Sequence, residues 1–240
     1  VALKLAERGA RVVLLARNED KLRAAAAQLP TPAQQQHTYL VADYAQPDQV
    51  AAAVNAFLAA GNTVHVLVNN TGGPAAGPLL DAEPDAFVAA FQQHLINNQR
   101  LAQAVVPGMR ASGYGRIVNI ISTSVKVPLH GLGVSNTVRA AVGNWSKTLA
   151  NELAADGITV NNVLPGATQT ERLTAIIDGR AARTGRTSAE VSQEMIDEVP
   201  MRRFAQPAEI AAAVAFLASP DAAYITGINI PVDGGRTPNL

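Results

Sequence analysis

Short apolar runs, rich in β-branched residues, alternate with longer amphipathic segments from one end of this chain to the other. The short runs lack strict alternation of apolar and polar positions, which is typical of strands covered on both faces of a sheet. They predict strands at residues 11–15, 38–42, 64–68, 116–121, 158–163 and 228–232. The longer segments predict helices at residues 18–29, 46–59, 85–111, 135–154 and 207–217. Such alternation predicts an α/β fold, in which a doubly wound parallel sheet with right-handed crossovers forms a single domain over residues 1–240.

Residues 167–200 interrupt the alternation, because a helical pattern is followed there by another helix before the last strand. In open parallel sheets, ligands bind beyond the carboxyl ends of the strands. We therefore expect this segment to form a lid over the substrate.

The chain starts within a helical pattern, at Val1, and not with a strand. In sheets that bind dinucleotides, a first strand and a glycine-rich turn precede this helix, and the backbone amides of the turn hold the pyrophosphate. No such turn occurs in the sequence, and the glycine-containing segment 72–77 lacks the Lys-Ser/Thr of a P-loop. Since the first strand lies at the centre of such a sheet, its loss would expose two strand edges. We expect that about 20 residues, a strand and a glycine turn, precede Val1 in the parent protein, with a natural truncation as the alternative.

Composition and charge exclude several classes of function. Nineteen basic and nineteen acidic residues cancel, so no positive field favours nucleic acid. The absence of cysteine excludes disulfides and thiol chemistry and fits a reducing compartment. No apolar run approaches the roughly 20 residues that span a bilayer, and charged residues within the first ten distinguish this start from a signal peptide. We expect a cytoplasmic protein that binds neither nucleic acid nor membranes.

Polar and glycine motifs follow the predicted strands in a fixed order. Ser122 ends the strand Ile117-Val-Asn-Ile-Ile-Ser, Ser135 follows thirteen residues later, and Arg139 lies four residues beyond it. The other motifs are Asp43, Asn69-Asn70-Thr71-Gly72, Pro165-Gly166 with Thr170, and Asp233-Gly234-Gly235. This ordered set resembles the short-chain dehydrogenase/reductase family over nearly the whole chain. Met201-Arg202-Arg203-Phe204 before Gln206-Pro207-Ala208-Glu209 resembles its 3-oxoacyl reductase branch.

The resemblance implies a Rossmann-like fold, a nicotinamide cofactor and a small carbonyl or alcohol substrate. It also implies a homotetramer or homodimer built on the two long helices. The cofactor-binding positions that it implies are Asp43 and Tyr44 at the adenine, Asn69, Asn70, Thr71 and Gly72 after the third predicted strand, and Pro165, Gly166 and Thr170 at the nicotinamide. The amide of Asn69 is expected to bridge neighbouring strands, while the small residues after it let a nucleotide approach the backbone. Alternatively, Asp43 serves only to organise the turn that enters the next helix.

Cofactor preference depends on the end of the first predicted strand. Members of the family that bind NAD carry an acidic residue there, which accepts a hydrogen bond from the ribose 2'-hydroxyl, whereas this chain has Ala16 followed by Arg17. A guanidinium can hold a 2'-phosphate through two hydrogen bonds, so the sequence favours NADP(H) over NAD(H). A solvated arginine at a helix start is the alternative.

The catalytic positions depart from the family pattern. The resemblance places a proton-donating tyrosine at Ser135, a lysine at Arg139 and a water-binding asparagine at His94, with only the serine, Ser122, retained. A serine hydroxyl is a much weaker acid than a phenol, whose pKa is about 10. Arg139 stays protonated, so it can stabilise an oxyanion but cannot relay a proton. The tyrosines of the chain lie away from this site in the predicted topology.

Other groups could supply the proton, and His94, His130 and Lys126 are the candidates. His94 is the best of these because imidazole titrates near neutral pH, although an interior histidine bonded to Arg139 or to a backbone carbonyl is the favoured interpretation. A solvated side chain is the favoured interpretation of Lys126.

Two functions follow from this set. Ser122, Ser135 and Arg139 could polarise a carbonyl in an NADP-linked oxidoreductase, with water or His94 supplying the proton. The same residues could instead bind a carboxylate or a phosphate in a nucleotide-binding or scaffolding protein without turnover.

Overall fold

Parallel strands form the framework of the computed structural model, which describes residues 1–238. Asn239 and Leu240, the last two residues of the predicted domain, lie outside the described residues. The strands are β1 Val13–Ala16, β2 Thr38–Val41, β3 Val66–Asn69, β4 Gly115–Ile120, β5 Ile158–Pro165 and β6 Asn229–Val232. β1 pairs with β2, and β3, β4, β5 and β6 pair in that order, all in parallel. The strand predictions are thus confirmed, with ends that differ by one or two residues.

Helices connect the strands and cover both faces of the sheet. They are α1 Ala2–Glu7, α2 Glu19–Ala27, α3 Pro47–Ala59, α4 Pro84–Phe91, α5 Asn97–Ser112, α6 Gly133–Leu153, α7 Glu171–Thr184, α8 Ser188–Asp197 and α9 Pro207–Leu217. Successive strand residues point to opposite faces, so Ile117 packs with residues of α3, α5 and α6, while Val118 packs with residues of α9. The doubly wound α/β fold predicted from the sequence is confirmed. Within residues 1–238, none of the helices has the length and apolarity needed to cross a bilayer.

The prediction of one continuous helix over residues 85–111 is wrong, because the helix is interrupted. α4 ends at Phe91, and one turn of π-helix, Gln92–Ile96, separates it from α5. A π-turn inserts one residue into the helical repeat and re-aims the side chains on it. His94 lies in this turn and is buried.

Four asparagines lie side by side across the four-stranded sheet, from the last residue of β3 to the first residue of β6. In the register of the sheet, Asn69 pairs with Asn119, Asn119 with Asn162, and Asn162 with Asn229. Each side-chain amide donates to the next carbonyl, with nitrogen to oxygen distances of 2.8 Å, 2.9 Å and 2.8 Å along the row. The predicted bridging of strands by Asn69 is confirmed. We call this row the asparagine ladder.

The segment 167–200 contains α7 and α8, which pack against each other. Thr170 caps α7, Thr187 forms a capping box with Glu190 at the start of α8, and Leu173, Ile177, Ala181, Val191 and Phe204 form an apolar cluster of their own. The helical pattern predicted for this segment is confirmed.

Candidate active site

α6, which bears Ser135, packs against the short helical turn that follows Ser122. Ser122 lies just beyond β4, where its Oγ accepts a hydrogen bond from the backbone N–H of Ser124 at 3.1 Å. Ser135 lies in the first turn of α6 and is buried. α6 can approach the helical turn that contains Val125 because Gly143 has no side chain. A Cβ at Gly143 would lie 3.0 Å from Cγ1 of Val125. α6 begins at Gly133, two residues earlier than predicted.

Arg139 connects this helix to the strand end. It lies one turn after Ser135 on α6, and its Nη1 donates to the carbonyl oxygen of Ile120 at 3.1 Å. Burial, and secondly the positive charge of Arg172, lowers the pKa of Arg139 to about 10. The guanidinium therefore remains charged at neutral pH and is held in place by the backbone of β4.

His94 reaches the same region from the π-turn. Its Nδ1 lies 2.6 Å from Oγ1 of Thr71, and its Nε2 is buried without a hydrogen-bond partner. Burial, and secondly the charge of Arg139, lowers the pKa of His94 to about 4, although the backbone of Gly72 opposes the shift. His94 is thus the interior histidine that the sequence favoured, and its side-chain hydrogen bond is to Thr71. The backbone of Gly72 also acts on it, whereas no hydrogen bond joins it to Arg139 within residues 1–238. At neutral pH the imidazole carries no charge.

The burial of neutral His94 predicts a pH-dependent stability. The folded-state pKa of about 4 lies below the ordinary 6.5, so the unfolded chain binds a proton that the folded chain does not. Stability is therefore expected to fall by about 3 kcal/mol in total as the pH drops from about 6.5 to about 4. Urea unfolding of the wild type and of His94→Gln at a series of pH values gives the free energy of unfolding of each protein as a function of pH. The difference between these two curves is the contribution of His94. Parallel curves would show that His94 is protonated equally in both states.

Arg172 is a residue that the sequence motifs did not identify. It lies in the first turn of α7, and its Nη2 donates to the carbonyl oxygen of Pro74 at 2.5 Å. Its guanidinium lies beside that of Arg139, near Gly73. No local signal marks this arginine, because ninety-eight positions separate Arg172 from Pro74 along the chain.

The predicted adenine end lies at the carboxyl ends of β1 and β2. Arg17 is exposed directly after β1, beside Asn18, the N-cap of α2. Asp43 is half-buried, and its Oδ1 accepts from the backbone N–H of Ala45 at 2.9 Å, so it organises the turn before α3. Tyr44 packs against the core, and burial raises its pKa to about 12.

The segment after β3 combines buried and open positions. Asn69 is buried, and its Oδ1 has no hydrogen-bond partner within residues 1–238. Asn70 and Gly72 are exposed, while Thr71 is half-buried against His94. A Cβ on Gly72 would meet no atom within 4 Å, which leaves open space beside this backbone.

The segment after β5 has local structural roles in the protein. The N–H of Gly166 donates to the carbonyl oxygen of Val232 at 3.0 Å, and a Cβ on Gly166 would lie 2.7 Å from Cβ of Asp233. Gly166 is therefore required by the close approach of β6, directly after Pro165. Oγ1 of Thr170 accepts from the backbone N–H of Leu173 at 3.3 Å and so caps α7.

The other candidate proton donors, Lys126 and His130, lie in the loop between Ser122 and α6. Lys126 is half-buried after the short helical turn that follows Ser122, and His130 is exposed. Trp145 packs into the core from α6, and its Nε1 donates to Gln99 at 2.7 Å. Trp145 is therefore a residue of the core.

Comparison with known proteins agrees with this geometry. A family model described as enoyl-(acyl carrier protein) reductase matches residues 1–237. A 3-oxoacyl-[acyl-carrier-protein] reductase of Vibrio cholerae is 32% identical over 242 residues, which cover 98% of this chain and 90% of the relative.

Two solved structures share the whole fold. L-sorbose reductase from Gluconobacter frateurii, in complex with NADPH and L-sorbose, has a TM-score of 0.92 at 33% identity and covers 100% of this chain and 91% of its own. An NAD⁺-bound xylitol dehydrogenase has a TM-score of 0.90 at 29% identity, covering 98% of this chain and 92% of its own. Within its family, the chain resembles 3-oxoacyl-acyl-carrier-protein reductases. The family match and these likenesses show that the chain belongs to the short-chain dehydrogenase/reductase family of oxidoreductases.

Proposed function

We propose that this protein is an NADP(H)-dependent oxidoreductase that interconverts a carbonyl and an alcohol at an atypical active site formed by Ser122, Ser135, Arg139 and His94, in which Arg139 supplies a fixed charge and does not relay the proton. The observation that carries the proposal is the hydrogen bond from Arg139 to the carbonyl oxygen of Ile120. It holds the guanidinium of Arg139 at the end of β4, the strand that leads to Ser122, while Arg139 itself belongs to the helix whose first turn bears Ser135. Fixed charge of this kind stabilises an oxyanion most where water is excluded.

The residues present fit a dinucleotide along the carboxyl ends of the strands. Open space beside Gly72 provides room at the carboxyl end of β3, and Oδ1 of Asn69, which has no partner among residues 1–238, provides a hydrogen-bond acceptor there. Arg17, Asp43 and Tyr44 would hold the adenosine end, while Asn70, Thr71, Pro165, Gly166 and Thr170 would border the nicotinamide end. When bound, the cofactor supplies a hydride to the carbonyl carbon.

The side chains of the site then act on the substrate oxygen. The hydroxyls of Ser122 and Ser135 donate hydrogen bonds to it, and Arg139 stabilises the negative charge that develops there. Because His94 is neutral at pH 7, it cannot act as a charged acid. As a neutral imidazole it accepts a proton at one ring nitrogen as it releases one from the other, with the hydroxyl of Thr71 bonded at Nδ1 and water supplying and accepting the proton at the ends of the path.

Cofactor choice is tested at Arg17. Arg17→Ala is expected to weaken NADPH binding about tenfold and to leave NADH binding nearly unchanged, because only the 2'-phosphate loses a charged partner. Fluorescence titration of both cofactors measures the two dissociation constants, with Arg11→Ala, an exposed arginine before β1, as the matched control. If Arg17→Ala changes the dissociation constants of NADPH and NADH equally, Arg17 is a solvated side chain that does not bind the 2'-phosphate.

Turnover is tested with a panel of carbonyl compounds and NADPH, for the wild type and for His94→Ala. We expect reduction of at least one compound, and a kcat for His94→Ala reduced about tenfold or more. NADPH binding without turnover on any compound would exclude the enzyme in favour of the second function.

The second function is nucleotide binding without turnover, and the low pKa of His94 favours it. The site as arranged contains two weakly acidic hydroxyls and a fixed cation, with a histidine that is uncharged at neutral pH. Such a site binds an anionic or polar ligand well but supplies protons slowly.

The assembly and the lid are part of the same proposal. A homotetramer or homodimer is expected to form on the long helices α5 and α6, in a cytoplasmic protein, and light scattering would measure the mass. Residues 167–200 are proposed to cover the substrate, since Arg172 already connects α7 to the loop after β3.

A further inference from the structure

Two guanidinium groups converge on one point beside Gly73. Nη2 of Arg172 and Nη2 of Arg139 lie 3.5 Å and 3.6 Å from the position that a Cβ on Gly73 would occupy. The two arginines come from different elements, α7 and α6, and each is held by a backbone carbonyl, that of Pro74 and that of Ile120. Both side chains are therefore positioned before any ligand binds.

Among the residues that the structure describes, this pair of positive charges has no acidic partner. Ion pairs elsewhere engage many arginines, including Arg180 and Arg186, which share Glu194 in the α7–α8 region. Within residues 1–238, neither Arg139 nor Arg172 forms an ion pair with a carboxylate. Burial, and secondly the charge of Arg172, lowers the pKa of Arg139. Like charges this close repel, and an anion between them would remove that cost.

We infer that Arg139 and Arg172 bind an oxyanion of the substrate, which makes the substrate a carbonyl or alcohol compound that carries a carboxylate. This inference rests on the proposed function, because it places the anion next to the carbonyl site formed by Ser122 and Ser135. A carboxylate matches the donors better than a phosphate does, since one nitrogen of each guanidinium already donates to a backbone oxygen. The remaining donors suit two oxygens and one negative charge.

Binding of oxamate, compared with that of its uncharged counterpart oxamide, tests the inference by calorimetry without turnover. We expect oxamate to bind the wild type and oxamide to bind at least tenfold more weakly. Arg172→Gln is expected to weaken oxamate binding about tenfold or more, since a charge-assisted hydrogen bond is lost. Arg183→Gln, an exposed arginine without an ion pair on the same helix, is the matched control and is expected to bind oxamate normally. The inference would be overturned if Arg172→Gln bound oxamate as tightly as the wild type does. It would also be overturned if the wild type bound oxamide as tightly as oxamate.

A second variant avoids any change of charge. Gly73 has no left-handed φ, so alanine is tolerated by the backbone, and its methyl group would lie in ordinary contact with both guanidiniums. Gly73→Ala is expected to exclude oxamate, whereas Gly77→Ala, whose Cβ meets no atom within 4 Å, is expected to bind it as the wild type does. Oxamate bound equally by both variants would place the anion elsewhere.

Two further titrations separate the possible failures. Inorganic phosphate is expected to bind more weakly than oxamate, and tighter phosphate binding would overturn the carboxylate assignment. NADPH is titrated into the same variants. If Arg172→Gln loses oxamate binding but still binds NADPH, the oxyanion site is supported. If the wild type does not bind NADPH, the proposed function is contradicted, whereas the result for oxamate binding still holds.

Discussion

Replacing Asn119 with leucine is expected to lower the free energy of unfolding by about 3 to 5 kcal/mol. Asn119 is fully buried at the centre of the asparagine ladder, where its Oδ1 accepts from Asn69 and its Nδ2 donates to Asn162 and to Ser146. Leucine removes both functions, so the amide nitrogen of Asn69 and the amide oxygen of Asn162 are left buried without partners. Each orphaned group costs about 1 to 3 kcal/mol because water cannot reach it.

The same substitution at the exposed end of the ladder is the matched control. Asn229 is exposed at the start of β6 and accepts only from Asn162. Asn229→Leu is expected to cost less than about 1.5 kcal/mol, since solvent can replace the lost hydrogen bond. Urea unfolding of both variants measures the difference. Equal losses would mean that the ladder contributes no more at its centre than at its edge.

Replacing Arg139 with glutamine is expected to reduce kcat for carbonyl reduction by about 10² to 10³-fold. Arg139 lies one helical turn after Ser135, and its guanidinium stays protonated at neutral pH with a pKa of about 10. Glutamine can retain a hydrogen bond to the carbonyl of Ile120 but supplies no charge to the developing oxyanion. Because the lost interaction is made with the transition state, kcat is expected to fall more than KM rises.

Arg139→Lys separates charge from shape. Lysine restores the positive charge but lacks the planar fork that reaches the backbone of Ile120, so a loss of about tenfold is expected. Steady-state kinetics of both variants on the same substrate, with urea unfolding to check the fold, provide the comparison. If glutamine, lysine and arginine give the same kcat, the charge of Arg139 takes no part in the reaction.

The fold could be predicted from the sequence because local patterns determine its elements. Apolar runs without alternation mark strands buried on both faces, and every predicted strand is present in β1 to β6. The motif order Asn69, Ser122, Pro165 follows three successive strand ends, and the carboxyl ends of parallel strands lie on one edge of a sheet. The proximity of these residues was therefore predictable without coordinates.

The interior of the candidate site was predictable only in part. The sequence identified His94 as a residue of the site, but its bond to Thr71 depends on the π-turn, which no periodic pattern indicates. Its pKa of about 4 depends on burial and on Arg139, and both are properties of the packed state. The sequence favoured His94 as proton donor because a free imidazole has a pKa near neutrality. That reference pKa does not apply to an imidazole buried in the protein interior.

The sequence by itself determined the strands, the helices, the family and the positions of Ser122, Ser135 and Arg139, because these follow from patterns within a few residues or from motif order. Only the tertiary structure decided which distant side chains meet. The asparagine ladder requires the register of four strands, and the pairing of Arg172 with Arg139 requires α7 to fold back onto the loop after β3. Register and helix docking result from packing between segments far apart in the chain, which local periodicity does not encode.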